Sequence, residues 1–199
     1  MGFKAALNFR YSNTHENRFW NNLVSALNKE FADSDEQVVL IGNLLAEGRE
    51  IDALLIKEDA LVVIDFKDYG GELTISENEP WTISGTIINS SRKNPFVQLS
   101  DNKYALLDAL KKKLPNGYEN WINLGHINAL VLFHQPIQYD VANIQYDLSH
   151  PASKWFNISD LENISQTLME VTSRETNIRG ERVDILLKAL GCIDLFDAV

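Results

Sequence analysis

The sequence predicts an α/β or α+β layer fold in which helices flank a mixed central sheet. Three observations predict it: an amphipathic helix over residues 14–32, two β-branched stretches over 50–56 and 60–67 joined by a short linker, and an apolar run over 127–133. The short linker favours an antiparallel hairpin, whereas a near-continuous apolar run is typical of a strand covered on both faces. Helices and strands alternate along the chain, which indicates one layered core.

Each predicted element has a start or stop signal. Asn13 or Thr14 can cap the first helix, and Asn94-Pro95 supplies a cap followed by proline for the second. Gly42-Asn43 is expected to close the first strand, and Ser159 is expected to cap a later helix. In chain order, these signals predict a helix over 14–32, strands over 37–41, 50–56, 60–67, 72–76 and 81–88, a helix over 94–113, a strand over 127–133, and helices over 160–172 and 180–190.

The sequence predicts a single domain over residues 1–199. A length of 199 residues without a repeat, a low-complexity tract or a flexible linker is typical of one domain. The one cysteine, Cys192, excludes an internal disulfide and a Cys-rich metal site. No apolar run approaches the roughly 18 residues of a membrane helix, and the start lacks the apolar core of a signal peptide. We therefore expect a cytoplasmic protein that does not bind membranes.

Acidic residues outnumber basic ones, with 28 Asp and Glu against 18 Lys and Arg and a formal net charge of −10. This excess disfavours indiscriminate binding to a polyanion, because such binding depends on basic residues that release condensed counterions. A local basic groove remains compatible with it, since nine of the 18 basic residues lie between positions 49 and 113. Among them we predict Arg92, Lys93 and Lys103 as nucleic-acid contacts. Arg92 and Lys93 precede a helix N-terminus, whose free N–H groups favour phosphate.

Charged residues interrupt two of the apolar strands and are the most informative functional signal. Side chains alternate between the faces of a strand, so Asp65 and Lys67 point the same way. The short hairpin turn brings Asp52 on the preceding strand within reach of Asp65. Two carboxylates and an ammonium are therefore predicted to converge.

These residue types indicate metal-assisted hydrolysis of a phosphodiester. Mg²⁺, for which Mn²⁺ can substitute, prefers oxygen ligands, commonly one or two carboxylates with waters and substrate phosphates. We predict Asp52, Asp65 and the backbone carbonyl of Phe66 as its ligands. Lys67 beside the cation can orient or acidify a water and offset charge on the phosphodiester.

Each of these residues also has a simpler interpretation. An Asp-x-Lys pair at a strand end is usually a solvated face or a weak ion pair. The second aspartate, the apolar context and the following Gly70-Gly71 favour a site instead. Glu16 shares a helical stripe with Trp20 and Leu23, which predicts a third carboxylate at the site, but capping and the helix dipole favour glutamate there equally. The four histidines lack ligand spacing and are expected in structural or surface roles.

Four short motifs occur in an order that matches a known family. The helix at 14–23 carries an early glutamate, and Glu50-Ile51-Asp52 forms an EID strand. Residues 65–71 are similar to a strand of pattern E-V-K-N-x-x-G, and 94–98 to an N-P…Q helix start. Together they resemble the nuclease-related domain (NERD) family of the PD-(D/E)XK nuclease superfamily. The resemblance covers residues 12–135, and 136–199 is expected to add a strand and helices to the same domain.

The resemblance implies a restriction-endonuclease-like core and a metal-dependent nuclease that hydrolyses phosphodiester bonds in DNA, in processing, repair or defence. It implies a catalytic set in which Gln98 helps to hold substrate or a site water: Glu16, Asp52, Asp65, Lys67 and Gln98. It also implies DNA as a partner, together with a fused or separate helicase, kinase or DNA-binding module.

Two residues depart from the family pattern. Asp65 stands where the family usually has glutamate, and Asp68 stands where it often has asparagine. We expect Asp68 either to bind a second cation or to weaken the approach of DNA. The alternative function is therefore a nuclease-fold module that is catalytically weak or inactive and binds nucleic acid or a protein partner. The acidic composition favours that alternative.

Overall fold

The computed structural model of the protein describes residues 2–88, 94–140 and 147–196, and its architecture is the predicted mixed sheet flanked by helices. None of the helices in these ranges is long and apolar enough to cross a membrane. The strands and α-helices are β1 Gly2–Leu7, α1 Thr14–Phe31, β2 Gln37–Ala46, β3 Arg49–Lys57, β4 Ala60–Lys67, β5 Gly71–Thr74, β6 Thr82–Ile83, β7 Thr86–Ile87, α2 Pro95–Lys113, β8 Asn128–Phe133, β9 Ile137–Gln138, α3 His150–Ser153, β10 Phe156–Asp160, α4 Ile164–Glu170 and α5 Glu181–Ala189.

Within the described residues, six strands form the central sheet in the order β1-β2-β3-β4-β8-β10. β2, β3 and β4 pair antiparallel in sequence, which confirms the predicted hairpin of β3 and β4. β1 pairs parallel with β2, and β8 pairs parallel with both β4 and β10. A smaller sheet has the order β7-β6-β5-β9. The C-terminal ends of β4 and β8 consequently lie side by side, at the end of the central sheet where these two strands stop.

Helices cover both faces of the central sheet. Phe19, Leu23 and Leu27 of α1 pack on one face, and residues of α2 and α5 pack on the other. The residues of β4 divide alternately between these two layers, and every one of them is buried. A charged pair at the end of β4 therefore lies inside the molecule.

The first predicted strand ends too early, and one predicted helix is partly wrong. β2 continues through Gly42-Asn43 to Ala46, because Asn43 adopts a φ of 52° without leaving the strand. Ser159 lies in β10 and does not cap a helix, because residues 156–160 pair with β8. The helix predicted over 160–172 is reduced to α4.

Two further strand assignments differ from the sequence prediction. The stretch predicted as a single strand over 81–88 forms a small hairpin of β6 and β7, since Ser84 and Gly85 both adopt positive φ. β1 was not predicted. Its sequence, Gly2–Leu7, mixes small, charged and apolar residues, and β2 is its pairing partner.

Gly42 marks a close approach between β2, α1 and the segment that follows β1. A Cβ atom at this position would lie 2.5 Å from Leu7 Cδ2 and 2.7 Å from both the Trp20 ring and Tyr11 Oη. We expect Gly42→Ala to lower the free energy of unfolding by about 1–3 kcal/mol, the usual cost of overpacking a core. Urea unfolding measures the change. Gly125→Ala is the control, because its Cβ would meet only Asn123 Oδ1, at 3.0 Å, and equal midpoints for the two variants would contradict the prediction.

Candidate active site

Asp52 and Asp65 lie where the pairing of β3 with β4 ends. Ala53 and Ile64 are the last paired residues at this end. Beyond them, the backbone N–H of Phe66 donates to Asp52 Oδ2 at 2.7 Å. The Asp52 carboxylate is therefore turned towards β4, on which Asp65 and its neighbours lie.

The alternation of side chains along β3 changes phase at Asp52. Ala53 packs in the α1 layer, as the alternation from Leu55 requires. Ile51 would be expected in the same layer but packs on the α2 side. Asn43, which lies opposite Asp52 in the register of β2 and β3, has the positive φ of 52°. This local distortion releases Asp52 from the regular pleat.

Tyr11 fixes the backbone of Asp52. Its hydroxyl donates to the Asp52 carbonyl oxygen at 2.6 Å, and its ring contacts Trp20 and Phe66. Burial, followed by the nearby charge of Asp52, raises the pKa of the Tyr11 phenol. The phenol stays protonated at neutral pH and remains a hydrogen-bond donor.

Asp65 is 2% exposed and lies between a lysine and an amide. Lys67 Nζ is 2.7 Å from Asp65 Oδ2, and Gln98 Nε2 donates to Oδ1 at 3.1 Å. Lys67 is buried too, on the same face of β4, as the strand alternation predicts. Asn94 caps α2 by accepting the N–H of Val97 at 2.9 Å, which starts the helix where Gln98 reaches Asp65.

Burial makes both aspartates costly to ionise, and the charge of Asp65 adds to that cost at Asp52. Burial and the charge of Asp65 raise the pKa of Asp52 to about 8, although the Phe66 N–H and Lys67 oppose the rise. Burial also raises the pKa of Asp65, and the Lys67 ammonium opposes it. One ammonium does not balance two buried carboxylates. At neutral pH the group therefore tends to retain a proton.

The oxygen atoms of this group fit a hard divalent cation. Asp65 Oδ2 is buried and forms an ion pair with Lys67 Nζ at 2.7 Å. Two buried carboxylates beside one ammonium are costly to ionise together, and a divalent cation would offset the remaining negative charge. In the part of the chain that the structure describes, no three His, Cys, Asp or Glu residues are grouped to hold a metal. Two carboxylates are the contribution that Mg²⁺ usually receives from a protein.

Glu16 lies in the first turn of α1, beside a cleft of about 450 Å³. Its backbone N–H donates to the side chain of Asn13 at 2.7 Å, which is the predicted helix cap. The charge of Glu16 contributes to the raised pKa of Asp52, so its carboxylate acts on the same region. The cleft is lined by Asn13, His15, Glu16, Phe19, Phe66, Asp68 and Tyr69.

Of the three predicted nucleic-acid contacts, Arg92 and Lys93 lie outside the described residues, and the prediction for Lys103 is wrong. Lys103 is 3% exposed, and its ammonium donates to the Gly125 carbonyl at 3.1 Å. The ammonium also lies 4.3 Å from the centre of the Trp155 ring. Burial lowers the pKa of Lys103 to about 8. The side chain belongs to the interior and is not placed to meet a backbone phosphate.

The sequence did not reveal that two histidines meet at Asp68. His134 Nδ1 lies 2.7 Å from Asp68 Oδ1, and His15 Nδ1 lies 3.1 Å from Oδ2. Arg18 Nη2 is 3.4 Å from Oδ2. The hydrogen bond with His134 is the largest of the effects that lower the pKa of Asp68. His134 directly follows β8, so the adjacency of β4 and β8 is the signal that would have found the contact.

Residues 13–134 match the family described as nuclease-related domain, or NERD. The matched segment includes α1, β3, β4, α2 and β8. The first four of these elements supply Glu16, Asp52, Asp65, Lys67 and Gln98, and β8 lies beside β4. Searches of the curated proteins and of the solved structures find no match to this chain. The structure brings Asp52, Asp65, Lys67 and Gln98 together, and the role of each residue stays a prediction.

Asp52→Asn is expected to stabilise the metal-free protein. Folding raises the pKa of Asp52 from 3.8 to about 8, so the native state binds more protons than the unfolded state between these values. The wild type therefore loses stability as the pH rises from about 4 to about 8. Asparagine is neutral throughout, and its Oδ1 can still accept the Phe66 N–H.

Thermal unfolding in EDTA measures this difference. At pH 8 we expect a higher Tm for Asp52→Asn, since about 1 kcal/mol moves the Tm of a domain of this size by roughly 2–4 °C. Near pH 4 the gap between the two proteins should close. The control is Asp35→Asn, at an exposed position. A Tm difference that does not depend on pH would contradict the assignment.

Proposed function

Because the chain belongs to the nuclease-related domain family, we propose that it hydrolyses phosphodiester bonds in DNA with the help of Mg²⁺ or Mn²⁺. The observation that carries the proposal is the buried pair of Asp52 and Asp65 beside Lys67, in which one ammonium serves two carboxylates. A purely structural group would not be expected to keep two repelling carboxylates in one buried place. A bound cation gives this arrangement a physical reason.

Asp52, Asp65 and the Phe66 carbonyl would hold the cation. When bound, Mg²⁺ polarises a phosphoryl oxygen and favours ionisation of a water. Gln98 donates to Asp65 Oδ1, which fixes the carboxylate and leaves Oδ2 directed away from the amide. The Phe66 N–H holds the Asp52 carboxylate, and Tyr11 holds its backbone. Both aspartates are therefore oriented before any ligand arrives, which lowers the cost of binding.

Lys67 and Glu16 would act on the reacting groups. The Lys67 ammonium, held by Asp65, is a donor for the attacking water or for a non-bridging phosphate oxygen, where negative charge grows. Glu16, at the cleft, would accept a hydrogen bond from a water and orient it. A phosphodiester bound there would then meet a hydrogen-bond donor, Lys67, and a water held by an acceptor, Glu16.

Removal of either central charge should abolish most cleavage. We expect Asp65→Asn and Lys67→Met each to lower the cleavage rate by about 100-fold or more, because each removes a group that stabilises the reacting charges. The assay uses labelled single-stranded, duplex and branched DNA with Mg²⁺ or Mn²⁺, and an EDTA control. Lys112→Met is the matched control, since Lys112 is an exposed lysine that pairs with Glu47. Wild-type rates in a folded Asp65→Asn variant would reject the assignment.

The acidic net charge of −10 favours a second candidate, a nuclease-fold module that binds nucleic acid or a protein partner without cutting. Calorimetric titration with Mn²⁺ separates the two functions. Binding that is lost in Asp52→Asn supports the hydrolase. DNA or protein binding without Mn²⁺ binding and without cleavage supports the module. A separate or fused helicase, kinase or DNA-binding module that supplies DNA affinity would reconcile the net charge with hydrolysis.

A further inference from the structure

Asp68 joins three elements at the rim of the cleft. It directly follows β4, and it contacts His134, which directly follows β8. From α1 it receives His15 and Arg18, at 3.1 Å and 3.4 Å. The predicted roles of Asp68, a second cation site or a repulsive charge, do not explain why these partners converge on it.

The surroundings of His134 determine which of its nitrogens carries the proton. Its Nε2 lies 2.8 Å from Asn22 Nδ2, an amide nitrogen that only donates hydrogen bonds. Nε2 therefore accepts, and the proton lies on Nδ1, which donates to Asp68 Oδ1. The imidazole also stacks on Phe19, with ring centres 4.9 Å apart. His134 is a fixed support that orients the Asp68 carboxylate.

The same carboxylate orients His15 at the cleft. Its second oxygen lies 3.1 Å from His15 Nδ1, an ion pair when His15 is protonated, and Nε2 lies on the other side of the ring. The His15 side chain is 71% exposed and lines the cleft together with Glu16 and Phe66. Phe66 lines the cleft, and its backbone N–H holds the Asp52 carboxylate at 2.7 Å, so His15 borders the candidate active site. An aspartate that holds one imidazole nitrogen and leaves the other for the reaction is a known way to prepare a proton donor.

We propose that His15 is a catalytic residue that protonates the leaving oxygen of the phosphodiester, with Asp68 as its positioning residue. This inference rests on the proposed function. The oxygen of the attacking water forms a bond to phosphorus and loses a proton to solvent through Glu16, and the bond from phosphorus to the leaving sugar oxygen breaks. The electron pair of that bond stays on the sugar oxygen, which takes a proton from His15 Nε2. The imidazole, neutral after this transfer, regains its proton from solvent.

Sulfur substitution of the leaving atom tests the proposal. A thiolate is a far weaker base than an alkoxide and leaves without protonation. Oligonucleotides with one bridging sulfur, at the 3′ or the 5′ position of a single linkage, are compared with the all-oxygen strand. The substrate that the wild type cleaves to a free thiol identifies the leaving atom. His15→Gln should lower kcat on the oxygen substrate by about 100-fold and on that sulfur substrate by less than about 5-fold.

His126→Gln is the matched control. His126 is also bonded to a side chain, Ser173 at 2.8 Å, but it precedes β8 at the opposite end of the strand from His134. It should leave both rates unchanged. An equal loss for His15→Gln on the oxygen and sulfur substrates, or a loss confined to KM, would make His15 a phosphate contact and overturn the proposal. If the wild type cleaves neither substrate with Mg²⁺ or Mn²⁺, the proposed function and this inference both fail.

Asp68→Asn tests the positioning role. Asparagine is the residue that the family pattern often has at this position, so the variant is expected to fold. We expect it to lower kcat on the oxygen substrate by about 10-fold and to leave the sulfur substrate nearly unaffected. In the double variant with His15→Gln, the rate should match that of His15→Gln alone, because Asp68 acts through His15. Multiplicative losses in the double variant would overturn the positioning role.

Discussion

Two buried carboxylates served by one ammonium form the constraint on which the rest of the structure depends. Asp52 and Asp65 cannot both ionise cheaply beside Lys67 alone, and each is therefore held by a neutral donor as well. The donors come from different parts of the fold: the backbone of β4 serves Asp52, and the amide of Gln98 on α2 serves Asp65. The mixed sheet and its covering helices bring these donors together at the C-terminal end of β4. The fold therefore keeps the three charges together at one place.

Distortion of the sheet gives Asp52 its position. In a regular pleat, Asp52 would occupy the layer opposite to that of Ala53, and its carboxylate would point away from the backbone of β4. The change of phase at Asp52, matched by the positive φ of Asn43 on β2, turns it towards the N–H of Phe66. Tyr11 holds the displaced backbone, and Gly42 leaves room for Tyr11. Bulges and strained residues of this kind often re-aim a functional side chain at the edge of a sheet.

The sequence predicted what depends on local periodicity and missed what depends on how the elements meet. The shared face of Asp65 and Lys67 follows from the two-residue period of a strand, and the structure has it. Lys103 was misjudged as a basic surface residue, although it lies on the same helical stripe as Leu99 and Leu106, both buried. β1 and β10 are the edge strands of the central sheet, and their short sequences carry weak signals of their own. The contact of His134 with Asp68 requires β4 and β8 to be neighbours, which no local pattern states.

Net charge and local charge lead to different conclusions about the cleft. The formal charge of −10 produces a long-range field, but salt at physiological ionic strength screens that field beyond about 8 Å. Asp68 adds to that total, but its partners His15, Arg18 and His134 lie within 3.4 Å of its carboxylate, where screening is weak. The acidity of the chain therefore bears on how fast a polyanion arrives, while the chemistry at the cleft depends on pairs a few ångströms apart. In the function that we propose, a partner that delivers DNA would change the rate of encounter and not the contacts among Asp52, Asp65 and Lys67.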